Sequence, residues 1–216
     1  GQPCNSTLTE QQIMNFGVMV ARLHEASSAF MPPQDFKRPI WGAEAFNNQM
    51  TALGIYYERF LSTKAWDSYQ RAAEKITAHL TTLAMDSHNY GMIHADLHMG
   101  NLVFQDDEPF PIDFGRCGYG YYLYDIAGAL LGLSPRQRRL FLYSYERVRA
   151  LEPNYSESLA YFFIMIMIEN YCHHATDPRE TAGLIKEQPF AQAYIREFLS
   201  DTPFLFDAIT PVEPLL

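Results

Sequence analysis

A chain of 216 residues, 48% of them hydrophobic, carries enough apolar content for one domain-sized core. Its net charge of −9 and pI near 5.2, with 16 basic residues that form no long run, exclude binding along a nucleic-acid backbone as the main task. The three cysteines, Cys4, Cys117 and Cys172, are odd in number and far apart, which excludes a closed disulfide framework and points to a reducing, cytoplasmic setting.

The first expected element is an amphipathic helix over 8–25. Overlapping capping boxes, Thr7 with Glu10 and Thr9 with Gln12, lead into Ile13, Phe16, Val20 and Leu23 at steps of three and four. Residues 31–42, MPPQDFKRPIWG, hold three prolines among polar groups and read as a surface loop. Ala73, Ile76, Leu80 and Leu83 then repeat the helical spacing, and that helix stops before DSHNYG. The period changes next. NLVFQ and FPIDF are short runs rich in β-branched or aromatic residues on either side of DDEP, which predicts a β-hairpin over 101–105 and 110–114.

Helices return with LYDIAGALLGL and with a segment that has Ser134 as N-cap and Pro135 at its first position. Two more follow, at 156–172 and about 187–200. The longest apolar run, LAYFFIMIMI, is about half the ~20 residues that span a bilayer and ends at Glu169, so it reads as a core helix and not a membrane segment. TPVEPLL reads as a loosely packed end. The fold class expected is mainly α with one small hairpin. The opening residues read as neither signal peptide nor initiator, so the natural chain is expected to begin before Gly1.

The chemistry concentrates in GMIHADLHMGNLVFQDDEPFPIDFGRCG, residues 91–118. Two readings compete there. His94, Asp96 and His98 stand at alternate positions, and on a strand they would share a face as zinc or iron ligands. DLHMGN contains Gly100 and no β-branched residue, however, so it reads as a loop. The second reading is phosphoryl transfer, which needs a carboxylate beside the acceptor hydroxyl and oxygen ligands that hold Mg²⁺ against the phosphates. Asp96 lies five positions before Asn101, close enough for a loop to turn back on itself. Asn101 opens the first strand of the hairpin and Asp113 closes the second, so pairing returns Asp113 toward Asn101. Gly115 is expected to let the chain leave the strand in a conformation denied to other residues.

HADLHMGN, followed by IDFG and then YLYDIAGAL, resembles the catalytic segment of the aminoglycoside phosphotransferase and choline kinase superfamily, the protein-kinase-like small-molecule kinases. The match is to an H-x-D-x-x-x-x-N loop, a hairpin, a D-[FLV]-[GD] metal segment and a Y-D-[IL]-A helix, in order. The resemblance implies ATP and Mg²⁺ as cofactors, Asp96 as catalytic base or acceptor-orienting carboxylate, and Asn101 and Asp113 as metal and nucleotide ligands. It also implies that His94 braces the nucleotide-side loop and that Asp125 anchors it from the next helix. Ala95 stands where regulated protein kinases carry Arg, and no A-P-E triplet follows. Both departures favour the hydroxyl of a small molecule over a protein acceptor. The acceptor side is expected around His98, Glu169, Tyr171 and Asp177.

No V-A-x-K strand precedes residue 94, since Lys37, Lys64 and Lys75 lie in loop or helix, and the glycines of GRCGYG come after Asp113. Residues 1–216 are therefore expected to be a C-terminal lobe alone, with catalytic loop 94–101 and metal segment 112–115. Such a lobe would be inactive by itself and would self-associate through the face left by an absent N-terminal lobe. The alternatives are a pseudokinase-like binding module without catalysis and a metallohydrolase using His94, Asp96 and His98.

Overall fold

The computed structural model describes residues 2–3 and 8–213. In chain order the elements are β1 (Gln2–Pro3), α1 (Glu10–Ser28), α2 (Ala43–Tyr56), α3 (Thr63–Leu80), β2 (Tyr90–Ile93), β3 (Leu102–Gln105) and β4 (Glu108–Pro111). After these come β5 (Gly118–Tyr121), α4 (Tyr122–Leu131), α5 (Pro135–Glu146), α6 (Tyr155–His174) and α7 (Thr181–Leu199). The fold is mostly helical with two small antiparallel sheets, β1-β3-β4 and β2-β5. Cys4, the expected Thr7 box and the last three residues of the tail lie outside the described residues. Among the described residues no helix is long and apolar enough to cross a membrane.

The chain divides into two compact units. The first, Gly1–Trp41 with Ala84–Leu159, is built on α1 against α5. Thr9 caps α1 in a complete box with Gln12. Ser134 and Pro135 start α5 as expected, with Gln137 Oε1 accepting from Ser134 N at 2.9 Å. The apolar stripe of α1 buries Ile13, Phe16 and Val20, and Phe16 meets Phe141 edge-on at 5.0 Å. Gly17 is what allows the two helices to approach, because a Cβ there would run into the Phe141 carbonyl.

The hairpin differs from expectation in register. Leu102 pairs with Pro111 and Gln105 with Glu108, so the turn is only Asp106–Asp107, with Asp106 in the left-handed region at φ 55°. Pro109 and Pro111 are accommodated because β4 is the edge of its sheet, where a missing N–H costs no ladder bond. The turn is tied to α1, whose Gln12 and Asn15 side chains donate to the carbonyls of Asp106 and Asp107. The pairing of β2 with β5 adds a second sheet that sequence periodicity missed.

The second unit, Gly42–Leu83 with Ala160–Leu216, packs α2, α3, α7 and most of α6 around Phe46, Leu53, Tyr69, Ile76 and Phe163. Helix α2 was also missed. Its core residues Phe46, Met50 and Leu53 keep helical spacing, but two asparagines and Gly54 dilute the pattern, and Gly42 offers no side-chain cap. Lys75 fastens α3 to the last turn of α7 through Phe198 O and to the chain beyond it through the Asp201 carboxylate.

Candidate active site

All residues of the loop and the metal segment lie in the first unit. Strand β2 delivers His94, and the chain then turns sharply because Ala95 takes φ 61°. A left-handed conformation is costly for a residue with a Cβ. Asp125, in the first turn of α4 and 1% exposed, stabilises it: Oδ2 accepts from His94 N at 2.7 Å and Oδ1 from Ala95 N at 2.8 Å. Gly128, one turn further along α4, leaves room for the loop, since a Cβ there would stand 3.0 Å from Leu97 O.

A buried relay stands behind Asp125. His24 Nε2 lies 3.4 Å from Asp125 Oδ2, and His24 Nδ1 lies 2.8 Å from the Tyr145 hydroxyl. Burial lowers the His24 pKa, with the hydrogen bond to Asp125 opposing that shift. The neutral imidazole then carries its proton on Nε2, donates it to Asp125 and accepts from the Tyr145 hydroxyl on Nδ1. Burial also pushes the Tyr145 hydroxyl upward, which keeps it a donor. No motif points to His24, which sits on the apolar face of α1 and meets a partner 101 positions away.

Asp96 is half-buried at the start of the loop. Asn101 Nδ2 donates to both Asp96 O at 2.9 Å and Asp96 Oδ2 at 3.0 Å. Two acceptors on one nitrogen fix the orientation of the amide and leave Asn101 Oδ1 for another ligand. Asp96 Oδ1 has Arg116 Nη1 at 4.0 Å and His98 Nε2 at 3.9 Å. Arg116 belongs to no motif of the segment. It brings a guanidinium to Asp96, and its own carbon lies 4.4 Å from the centre of the Trp41 ring.

Asp113 follows β4 rather than closing it. The ladder continues one bond further, with Ile112 N donating to Asn101 O at 2.9 Å, so Asp113 comes directly after the residue that pairs with Asn101. Asp113 is exposed, takes φ 60° and ψ 66°, and accepts from Gly115 N at 3.3 Å. The left-handed residue at this exit is thus Asp113 and not Gly115, because no described glycine has positive φ. An aspartate tolerates that region better than most residues, since its short side chain bonds its own turn.

The histidines divide. His94 is 3% exposed, places Nε2 3.0 Å from Ile112 O and stacks obliquely on Phe114 at 4.5 Å, while its Nδ1 has no partner. His98 is exposed, and its Nδ1 accepts from Gly100 N at 3.1 Å. With His94 facing a carbonyl and His98 capping its own turn, the zinc or iron set is not assembled. Among the described residues no three His, Cys, Asp or Glu side chains gather as metal ligands. Asn101 Oδ1 and the Asp113 carboxylate are hard oxygen donors of the kind Mg²⁺ takes, and two protein ligands suit an ion that draws the rest from water and phosphate. Burial raises the Cys117 thiol, as fits an ordinary cysteine.

Glu169 and Tyr171 belong to the core of the second unit, each 3% exposed. Glu169 Oε1 accepts from Gln49 at 3.1 Å, and Tyr171 packs on Phe60 and Tyr69. Burial pushes the Tyr171 hydroxyl far up. Asp177 is held by Arg179, which lowers its pKa.

The family model of the APH phosphotransferase enzyme family matches residues 5–160. An amicoumacin kinase, hAmiN, solved in complex with AMP-PNP and Ca²⁺, superposes with a TM-score of 0.69 at 18% identity, covering 99% of this chain and 65% of that one. A microcompartment-associated aminopropanol kinase gives 0.75 at 22% identity over 93% and 66%. A choline/ethanolamine kinase family protein from Mesorhizobium loti gives 0.59 at 14% identity over 88% and 71%. An uncharacterized protein of Synechocystis sp., sll1119, is 25% identical over 150 residues, 67% of this chain and 41% of its own length. The chain thus spans about two thirds of its structural relatives and less than half of this curated one. It has their fold, and it belongs to the APH phosphotransferase enzyme family.

Proposed function

We propose that the chain is the catalytic and acceptor-side part of a kinase that transfers the γ-phosphoryl group of ATP to a hydroxyl of a small molecule, with Mg²⁺. The observation that carries this reading is the Asn101 amide. Its side-chain nitrogen holds Asp96 through two acceptors, and the residue's backbone carbonyl accepts from Ile112 N, one residue before Asp113. The family match and the kinase folds support it, as does the nucleotide analogue and divalent ion bound by the amicoumacin kinase.

Asp96 orients the acceptor hydroxyl and takes its proton as the oxygen attacks the γ-phosphorus. The new O–P bond forms while the bond to ADP breaks. Arg116 holds positive charge near that carboxylate. Asn101 Oδ1 and the Asp113 carboxylate would hold Mg²⁺, which when bound would neutralise phosphate charge. His94 keeps its backbone in the Asp125 clamp and its ring against Phe114, which links the loop to the metal segment.

The test is ADP release by the complete gene product against amino alcohols, sugars and aminoglycosides. Acceptor-dependent turnover is expected, with Asp96→Asn lowering kcat by roughly 10² to 10⁴ and leaving ATP affinity nearly unchanged. Asp113→Asn should weaken metal-dependent nucleotide binding as well as rate. Near-normal turnover by Asp96→Asn with a good acceptor would refute the assignment. Residues 1–216 alone should show no turnover, because positioning of the γ-phosphoryl group would be incomplete.

A further inference from the structure

The turn that carries Asp113 is gripped from outside the motif. Its carbonyls at 114, 115, 116 and 117 are all taken by two side chains of the loop before α2. Arg38 Nε donates to Cys117 O at 2.5 Å, and Arg38 Nη2 donates to Phe114 O at 3.1 Å and Gly115 O at 3.3 Å. Trp41 Nε1 donates to Arg116 O at 2.9 Å. Backbone bonds complete the grip, from Trp41 N to Tyr119 O at 2.7 Å and from Tyr119 N to Pro39 O at 2.8 Å. Gly118 makes the approach possible, since a Cβ there would meet the Pro39 carbonyl.

We propose that Arg38 and Trp41 are positioning residues that preset the metal-bearing turn and aim Arg116 at Asp96, an inference that rests on the phosphotransferase reading. Asp113 needs such support. Its left-handed backbone is unfavourable, and its own side chain contributes one long bond, 3.3 Å from Gly115 N. A planar guanidinium can reach three carbonyls at once, which the single ammonium of lysine cannot match. Trp41 acts twice. Its N–H holds the Arg116 carbonyl, and its ring lies under the Arg116 guanidinium, whose Nη1 and Nη2 reach toward Asp96 and the Tyr124 hydroxyl.

The test uses the 216-residue chain labelled with ¹⁵N, with Mn²⁺ as the probe ion. In Arg38→Ala and in Trp41→Phe, which keeps a ring and loses the N–H, the Gly115 and Cys117 amides should exchange with solvent roughly tenfold faster or more, while α1 and α5 amides stay protected. Paramagnetic broadening at 113–116 should then require several-fold more Mn²⁺, and Arg38→Lys should recover only part of either effect. Unchanged exchange in both variants would overturn the proposal. So would faster exchange with a wild-type Mn²⁺ response, because the grip would then serve stability alone. Absence of any Mn²⁺ broadening at 101 and 113 in the wild type would refute the metal reading itself, and exchange at 115 and 117 would then decide the clamp.

Discussion

His24→Phe removes both hydrogen bonds of a fully buried imidazole while keeping a ring to stack on Tyr122, from which His24 stands 4.5 Å centroid to centroid. Two losses follow. The bond to Asp125 is 3.4 Å, longer than the usual N–H···O range of about 2.7–3.2 Å, so its share belongs at the low end of the roughly 1.5–3 kcal/mol for bonds to charged groups. The Tyr145 hydroxyl, in a side chain 1% exposed, loses its partner at 2.8 Å, which costs about 1–3 kcal/mol. The sum expected is about 2.5–4.5 kcal/mol. Adding Tyr145→Phe removes the orphaned hydroxyl, so the double variant should be more stable than the sum of the single effects predicts, by about 1–2 kcal/mol. Urea unfolding of the three variants and the wild type near pH 7.5 measures the cycle, and amide exchange at His94 and Ala95 shows whether the loss reaches the loop. A cost below about 1 kcal/mol for His24→Phe, or strict additivity, would refute the relay.

The same imidazole sets a pH dependence. Burial holds its folded pKa below the ordinary 6.5, so the unfolded chain binds more protons below that value, and this contribution is present above about pH 6.5 and lost as pH falls. Stability should decline by up to about 1.4 kcal/mol per pH unit on that side, and His24→Gln, titrated by unfolding between pH 5 and 8, should flatten the slope. Gly17→Ala should destabilise by about 1–3 kcal/mol or more, read by thermal unfolding, because the Cβ meets a helix carbonyl that cannot turn aside. Gly128→Ala presses on Leu97 O and should lower kcat of the complete enzyme by up to about 10²-fold with a much smaller change in Tm.

Local rules carried the helices that have caps. Thr9 with Gln12 and Ser134 with Pro135 mark the starts of α1 and α5. They failed where the signal is tertiary. Strands β2 and β5 have four residues each, and Gly91, Gly118 and Gly120 among them give no alternating pattern, so only their mutual pairing defines them. The hairpin was legible, but its register was not, because Pro109 argues against a strand until β4 is known to be an edge. In the site, the H-x-D-x-x-x-x-N spacing pointed to Asp96 and Asn101. The residues behind the loop and the metal turn, His24 against Asp125 and Arg38 with Trp41 on the carbonyls of 114–117, come from elsewhere in the chain and carry no motif. Glu169 and Tyr171 were placed on an acceptor side by resemblance, and their burial among Gln49, Phe60 and Tyr69 is a packing fact no spacing rule foresees.

The hairpin β3–β4 closes through two residues and brings Asn101 and Ile112 into one ladder. Every candidate group of the loop and metal turn therefore comes from one uninterrupted stretch, 94–125. Short-range closure of this kind carries little chain-entropy cost and forms early in folding. Inheritance can then act on two levels. The stretch supplies the chemical composition of the site as a unit, whereas α1 and the 38–41 loop supply its rigidity. Drift in the distant supports would blur the geometry long before it erased the reacting groups, so a descendant could keep every signature residue and still be a slow catalyst.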